Sequence, residues 1–395
     1  MALSAAVTAQ AQWSQFAGNQ RHTGNSPAFA QPLTHMMADI VHDPFAPSEI
    51  SQDGALFIHY AVPLVDGEDV FMAFKTSAAH GPVTVWGVKR FHWENGQLVE
   101  KWATATDWVP VPNSAWEPPM QAVLANGFVY MPGAGGTLQQ LNRTTGEVVS
   151  RINPFSTVDS QTTYTSGPPS ADAAGNLVYG VLRVQPANPW GSDITGAFLV
   201  RATADGTATA VPWAPLVSNA PAPNALCTSR FGGNTKLPPS PTAVAPTITC
   251  GAQRPGYNIA PAIAADGTIY VVSRAHFADR WGYLVAVNSD LTPKWNVSLR
   301  NRFHDGCDVL LVSGTCTAGT TTGVDPTDNL PGSGSVSDFS TASPVVLPDN
   351  TVIYGAFTGY NDSNGHTMHF STAGAYLGAY PFGWDTTPAV WQHDG

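Results

Sequence analysis

The chain repeats itself, and that limits its fold more than any other feature of the sequence. Five segments share one pattern: small residues or proline, two or three alternating apolar positions, a Gly or Asn turn, then an apolar strand carrying an aromatic. They read AVPLVDGEDVFMAF at 61–74, PPMQAVLANGFVYM at 118–131, PPSADAAGNLVYGV at 168–181, APAIAADGTIYVVS at 260–273 and SPVVLPDNTVIYGA at 343–356. Gly67, Gly127, Gly175, Gly267 and Asn350 occupy the turns, where a tight hairpin requires positive φ. A unit of this size cannot bury its apolar faces alone, so successive copies must stack.

A third strand, a second turn and a closing strand follow each hairpin, as in VTVWGVKRFHWENGQLVEKW at 83–102 and YLVAVNSDLTPKW at 283–295. Four short antiparallel strands per unit make one blade of a β-propeller. The fold expectation is therefore all-β, with residues 13–395 forming a single propeller domain that carries loop inserts at about 214–253 and 301–337. No alternating strand pattern marks the first insert. The last residues, DTTPAVWQHDG at 385–395, repeat a blade opening and halt at its turn. Because closure removes the exposed edges of a fan of sheets, the expectation is an incomplete ring with closing blades beyond residue 395, about seven or eight in the whole.

Composition agrees. Charged residues make up 11% of the chain, against roughly 25% in an average soluble protein, and helices need just those residues on their wet faces. The net charge of -11 with 17 Lys and Arg leaves no basic stripe for a phosphate backbone, which argues against nucleic acid. No window reaches the roughly 20 apolar residues of a membrane span. Residues 1–12, MALSAAVTAQAQ, read as a signal-peptide remnant or a disordered arm, with Ala9-Gln10-Ala11 as an A-x-A cleavage pattern and a mature start near Gln12. Four cysteines, Cys227, Cys250, Cys307 and Cys316, fall inside the two inserts and allow three disulfide connectivities. Local pairing is favoured because each bridge closes one loop, and an oxidising compartment, secreted or periplasmic, suits it. The spacings match no zinc template.

Trp13, Phe16, Gly18, Asn19, Thr23 and Gly24 give an opening that resembles the W-x-x-F-x-G-N-x-x-x-T-G start of bacterial pyrroloquinoline-quinone (PQQ)-like propellers. The repeats resemble the consensus of that family, most clearly over Pro119 to Val149 and Pro261 to Trp295. The resemblance implies the propeller fold but leaves function open, since the family spans quinoprotein alcohol and sugar dehydrogenases, an outer-membrane assembly scaffold and secreted proteins of other kinds. It also implies that Trp102, Trp213 and Trp295, at strand ends, dock on the neighbouring blade. The dehydrogenases hold PQQ and calcium with an adjacent cysteine pair, which this chain lacks. No cofactor is expected, and PQQ with calcium is the alternative.

Propeller ligands meet the loops that enter the innermost strands. Trp116, Glu117, Tyr164, Tyr257, Asn258, Thr341 and Asp385 stand at those positions and offer aromatic, hydroxyl, amide and carboxylate groups to a small polar ligand. Trp190, Trp281 and Trp391 are further aromatics in or near loops. Asp325, Asp328 and Asn329, near Ser333 and Asp338, form a candidate calcium cluster that departs from the D-x-D-x-D-G loop. The His-Asp dipeptides at 42–43, 304–305 and 393–394 cannot pair internally, because neighbours on an extended strand point to opposite sides, and neither G-x-S-x-G nor H-E-x-x-H occurs. The expectation is a non-catalytic binding or scaffold propeller for a small polar ligand or another envelope or extracellular protein. A quinoprotein-type oxidoreductase, or a hydrolase at the channel mouth, is the alternative.

Overall fold

The structure is a computed structural model that describes residues 12–26, 34, 36–41, 43–53, 62–78, 84–114, 120–231, 240, 242–302, 325, 328–330, 334–340, 342–357 and 365–392. The arm before Gln12, the Cys307 and Cys316 pair, Trp116, Glu117 and Thr341 lie outside these residues.

Each repeat folds into an antiparallel meander. Blade 1 comprises Leu64–Asp66, Asp69–Lys75, Trp86–Glu94 and Gln97–Ala105; blade 2 comprises Val123–Ala125, Phe128–Gly133, Thr137–Asn142 and Val148–Ile152. Blade 3 runs from Ser170–Ala171 through Leu177–Arg183 and Gly196–Ala202 to Ala208–Pro212, blade 4 from Ala262–Ile263 through Ile269–Ala275 and Gly282–Val287 to Pro293–Ser298, and blade 5 from Val345–Val346 through Val352–Ala356 and His366–Phe370 to Tyr376–Tyr380. In blades 3 and 4 the inner strand has an earlier segment, Thr163–Thr165 and Gln253–Pro255, that pairs with the same second strand. Gly67, Gly127, Gly175, Gly267 and Asn350 all have the positive φ that their turns demand.

Both faces of a blade are buried. Val129, Met131 and Leu141 of blade 2 pack with Leu64, Phe71 and Val88 of blade 1, whereas Tyr130 and Leu138 face Leu177, Tyr179 and Val181 of blade 3. Blades 3 and 4, and then 4 and 5, meet in the same way. Alternate side chains point to opposite faces, so a strand between two neighbours must be apolar at both parities, as these are.

The strand-end tryptophans dock as expected. Trp102 donates its indole N–H to the Arg143 carbonyl at 3.1 Å and Trp295 to the Thr372 carbonyl at 2.8 Å, each on the outer turn of the next blade. Trp213 is buried between blades 3 and 4, bonded to Ser273 Oγ at 2.9 Å.

Three features go beyond the sequence reading. A short helix, Ala46–Asp53, precedes blade 1 and buries Glu49 against Lys75. The insert at 214–253, expected to hold no strands, carries a ribbon of Leu226–Thr228 with Thr247–Thr249; it is closed by the Cys227–Cys250 disulfide, with Cα atoms 5.0 Å apart. The third feature is the opening motif itself. Gln12 and Trp13 pair with Asp66 and Val65 of blade 1, and Ser14 O then accepts from Leu124 N of blade 2 at 2.7 Å. The Gln15 amide bonds both backbone groups of Ala171 in blade 3. Gln20 O accepts from Ile263 N of blade 4, Arg21 O from Val346 N of blade 5, and Thr23 O from Val390 N. A segment of this length spans at most about 40 Å when extended. The inner strands of all five blades therefore converge on it, and it straps the turn end of their common axis.

His22, near the end of that strap, has no exposed surface. Its Nδ1 donates to the Pro344 carbonyl at 2.9 Å, and Nε2 faces Ser170 Oγ at 3.4 Å. Burial lowers its pKa to about 4, so the unfolded chain takes up the proton first as pH falls.

Two predictions follow from this packing. Gly146 and Gly206 both have positive φ, but a Cβ on Gly146 meets Trp102 Cδ2 at 2.6 Å whereas one on Gly206 meets nothing within 4 Å. Gly206→Ala should cost about 1–2 kcal/mol of backbone strain, and Gly146→Ala about 1–3 kcal/mol more, read by denaturant unfolding. Acidification from pH 6.5 to 4 should remove on the order of 3 kcal/mol through His22, a stability present in full above pH 6.5. In the His22→Gln variant the pH dependence of the unfolding midpoint should be correspondingly shallower.

Candidate functional site

Arg254 and Arg274 are direct register partners on neighbouring strands of blade 4, a pairing that like charges make unfavourable. Asp338, from the segment entering blade 5, resolves it. Its carboxylate accepts from Arg254 Nη1 and Nη2 at 2.9 and 2.5 Å, from Arg274 Nη1 at 2.9 Å, and from the Tyr257 backbone N–H at 3.0 Å. Burial opposes the charge on Asp338, and the two guanidinium groups override it, holding the carboxyl far below its usual range.

His276 extends this cluster. Arg254 Nε lies 3.0 Å from His276 Nδ1, and a guanidinium only donates, so Nδ1 carries the lone pair and Nε2 the hydrogen. Burial, reinforced by Arg254 and Arg274, lowers the pKa of His276 to about 3, which leaves it neutral at pH 7. Trp190 stacks on the imidazole at 6.2 Å between centroids and meets Tyr257 edge-on at 5.7 Å. The indole N–H of Trp190 is anchored on the Pro112 and Asn113 carbonyls.

These groups form the inner wall of a cleft of about 450 Å³ on the loop face, at the opposite strand ends from the strap. The disulfide ribbon supplies Thr228 and Ile248, the loop between Ile269–Ala275 and Gly282–Val287 of blade 4 supplies Phe277 and Asp279, and Phe339 stands at the rim. Arg230 closes the outer wall, bonded to Asp279 at 2.8 Å and Ser335 at 3.2 Å and lying over the Phe357 ring. Three guanidinium groups against two carboxylates give the lining a net charge of +1. Arg230 Nε and His276 Nε2 are both sealed from solvent. The Ser192 backbone is a hydrogen-bond partner of the imidazole and raises its pKa against the larger effect of burial.

Of the residues expected at the channel mouth, Tyr257 is wholly buried beneath Trp190, its hydroxyl 3.0 Å from Ser114 Oγ. Tyr164 is buried with its hydroxyl on the Gln161 carbonyl. Asn258 is buried with φ near 68°, and Asp385 is half-buried with φ near 56°. None of the four lines the cleft. Sequence reasoning overlooked Arg230, Arg254, Arg274 and His276. The available signal was arginine inside otherwise apolar strands of a chain with few charges.

The candidate calcium cluster is engaged otherwise. Asp325 and Asp328 are buried on the Arg280 guanidinium, with Arg280 Nη1 3.2 Å from Asp328, and Arg300 stands 3.9 Å away. The Asn329 amide reaches the Ser240 and Ala243 carbonyls, and Asp338 belongs to Arg254 and Arg274. Arginine supplies the positive charge at each carboxylate, so these donors do not fit a calcium ion. No group of three or more His, Cys, Asp and Glu side chains suited to a metal occurs among the described residues. A second cavity of about 470 Å³ borders the strap on the turn face; its Asp66 and Arg143 are paired with each other.

No protein-family profile and no curated protein sequence matches the chain. Solved structures align with it at low identity and with TM-scores below 0.5. The europium-containing methanol dehydrogenase aligns with a TM-score of 0.47 and 15% identity over 94% of this chain and 58% of that one. The quinohemoprotein alcohol dehydrogenase from Comamonas testosteroni gives 0.48 and 12% over 94% and 49%, and BamB from Moraxella catarrhalis 0.28 and 12% over 81% and 77%. The chain thus spans about half the length of these dehydrogenases.

Asp338→Asn should leave two buried guanidinium groups facing each other and cost about 3–5 kcal/mol. Equilibrium unfolding in urea measures it, with Asp290→Asn, an exposed turn carboxylate, as the reference substitution of small effect.

Proposed function

We propose that this protein is a binding propeller of the cell envelope or exterior that holds a small polar ligand in the loop-face cleft between the disulfide ribbon and blades 4 and 5. The observation that carries the reading is the cleft itself: a wall of Arg254, Arg274, Asp338 and His276, an anchored aromatic in Trp190, and the Arg230 guanidinium opposite. Such concave sites, apolar in part with a few convergent polar groups, are where small molecules bind. The imidazole of the cleft is kept neutral by burial, reinforced by Arg254 and Arg274, which makes it a weak base for a chemical step. The Cys227–Cys250 bridge supports an oxidising compartment, and no helix among the described residues is long and apolar enough to cross a membrane.

The test is native mass spectrometry of protein purified from a bacterial periplasm, followed by thermal shift with the small molecules it retains. One small organic molecule per chain, whose stabilising effect is lost in Trp190→Phe, is the expected result. A quinone absorbance band with stoichiometric calcium after incubation with PQQ would overturn the reading in favour of an oxidoreductase. Free thiols at Cys227 and Cys250 in protein from its native host would remove the envelope assignment.

A further inference from the structure

The cavity of about 470 Å³ on the turn face differs in chemistry from the loop-face cleft. It lies beside the strap, among the hairpin turns of blades 1, 2 and 3, and its size is that of a small-molecule site. Its walls are tied across blades: the Asn126 amide of blade 2 donates to the Gly175 carbonyl of blade 3 at 2.9 Å, and the Gln15 amide holds Ala171. Every charge on the lining is committed. Arg143 is paired with the Asp66 carboxylate and donates to the Asp66 carbonyl at 3.4 Å. Asp172 accepts from the Ala174 and Asn176 backbone N–H groups and from the Asn176 amide. Ser14 and Gln20, in contrast, serve the strap through their carbonyls, which accept from Leu124 and Ile263. Both residues are partly exposed on the lining, and their side chains, a hydroxyl and a primary amide, each donate and accept. Phe128, also partly exposed, adds an aromatic surface. An ion entering here would be desolvated with no unspent counter-charge to meet it, whereas hydroxyl groups match donors and acceptors alike.

We infer that the turn-face cavity binds a small neutral saccharide, its hydroxyls exchanging hydrogen bonds with Ser14 and Gln20 and a C–H face of its ring lying against Phe128. This is a second site, independent of the loop-face cleft at the opposite strand ends.

Saturation-transfer NMR titrations of the full chain test this with glucose, galactose, N-acetylglucosamine and maltose, and with glucosamine and glucuronate as charged counterparts, on the wild type, Gln20→Ala, Phe128→Leu and Trp190→Phe. Gln20→Ala spares the carbonyl that the strap uses, and circular dichroism reports whether each variant stays folded. The expected result is a neutral sugar bound with a Kd below about 10 mM and the charged sugars at least about tenfold weaker. Gln20→Ala should weaken binding about three- to tenfold and Phe128→Leu about threefold or more, while Trp190→Phe binds as the wild type does. No neutral sugar bound below about 10 mM, charged sugars bound equally well, or binding indifferent to Gln20→Ala or Phe128→Leu in a folded variant would overturn the inference. Sugar binding lost in Trp190→Phe alone would move the saccharide to the loop-face cleft, which sinks this inference and supports the reading of the cleft as a binding site.

Discussion

The structure depends on sheets that are buried on both faces. Each blade has too few residues to shield its own apolar side chains, so it is stable only between neighbours, and the core is a series of layers rather than one centre. Charge is then admissible only at outer turns, at the loop ends and in paired clusters, which is how a chain with 11% charged residues accommodates the arginines it has. The tryptophan contacts that join one blade's last strand to the next blade's outer turn complete the periphery, while the strap completes the axis.

The strap explains why a short N-terminal motif matters so much to the fold. Its carbonyls and the Gln15 amide satisfy the inner-strand backbone at the turn end, groups that would otherwise face the axis unpaired. With that end tied, the loop end is where the blades are free to carry different side chains. Blade 4 uses the freedom to put two arginines side by side, and the insert folds its disulfide-closed ribbon over them. The cleft arises because, at the loop end of the blade 4–5 interface, a buried ion cluster takes the place of apolar packing.

The arginine cluster also separates two kinds of acidic residue that look alike in a sequence. Asp325, Asp328 and Asp338 lie close together along the chain and read as a calcium loop, yet each neutralises a buried guanidinium contributed by blade 4. A carboxylate in an oxygen-rich stretch is a metal ligand only if no stronger cation reaches it first, and Arg280, Arg254 and Arg274 do.

The sequence by itself determined the blade. The hairpin glycines, the apolar runs and the closing tryptophans are local patterns, set by φ, by alternation along a strand and by one contact to the next repeat, so they are legible one repeat at a time. The Cys227–Cys250 pairing was favoured for a similar reason, a short loop to close. Only the tertiary structure decided which loop residues meet. Tyr164, Tyr257 and Asn258 stand at inner-strand entrances yet are covered, Tyr257 by a tryptophan from the preceding blade, and the cleft is built instead from Arg230, Arg254, Arg274, His276 and Asp338. These five come from an insert, two strands, a loop and the entry to the next blade. Their proximity is fixed by how blades stack around the strap, a relation between distant segments that no local pattern encodes.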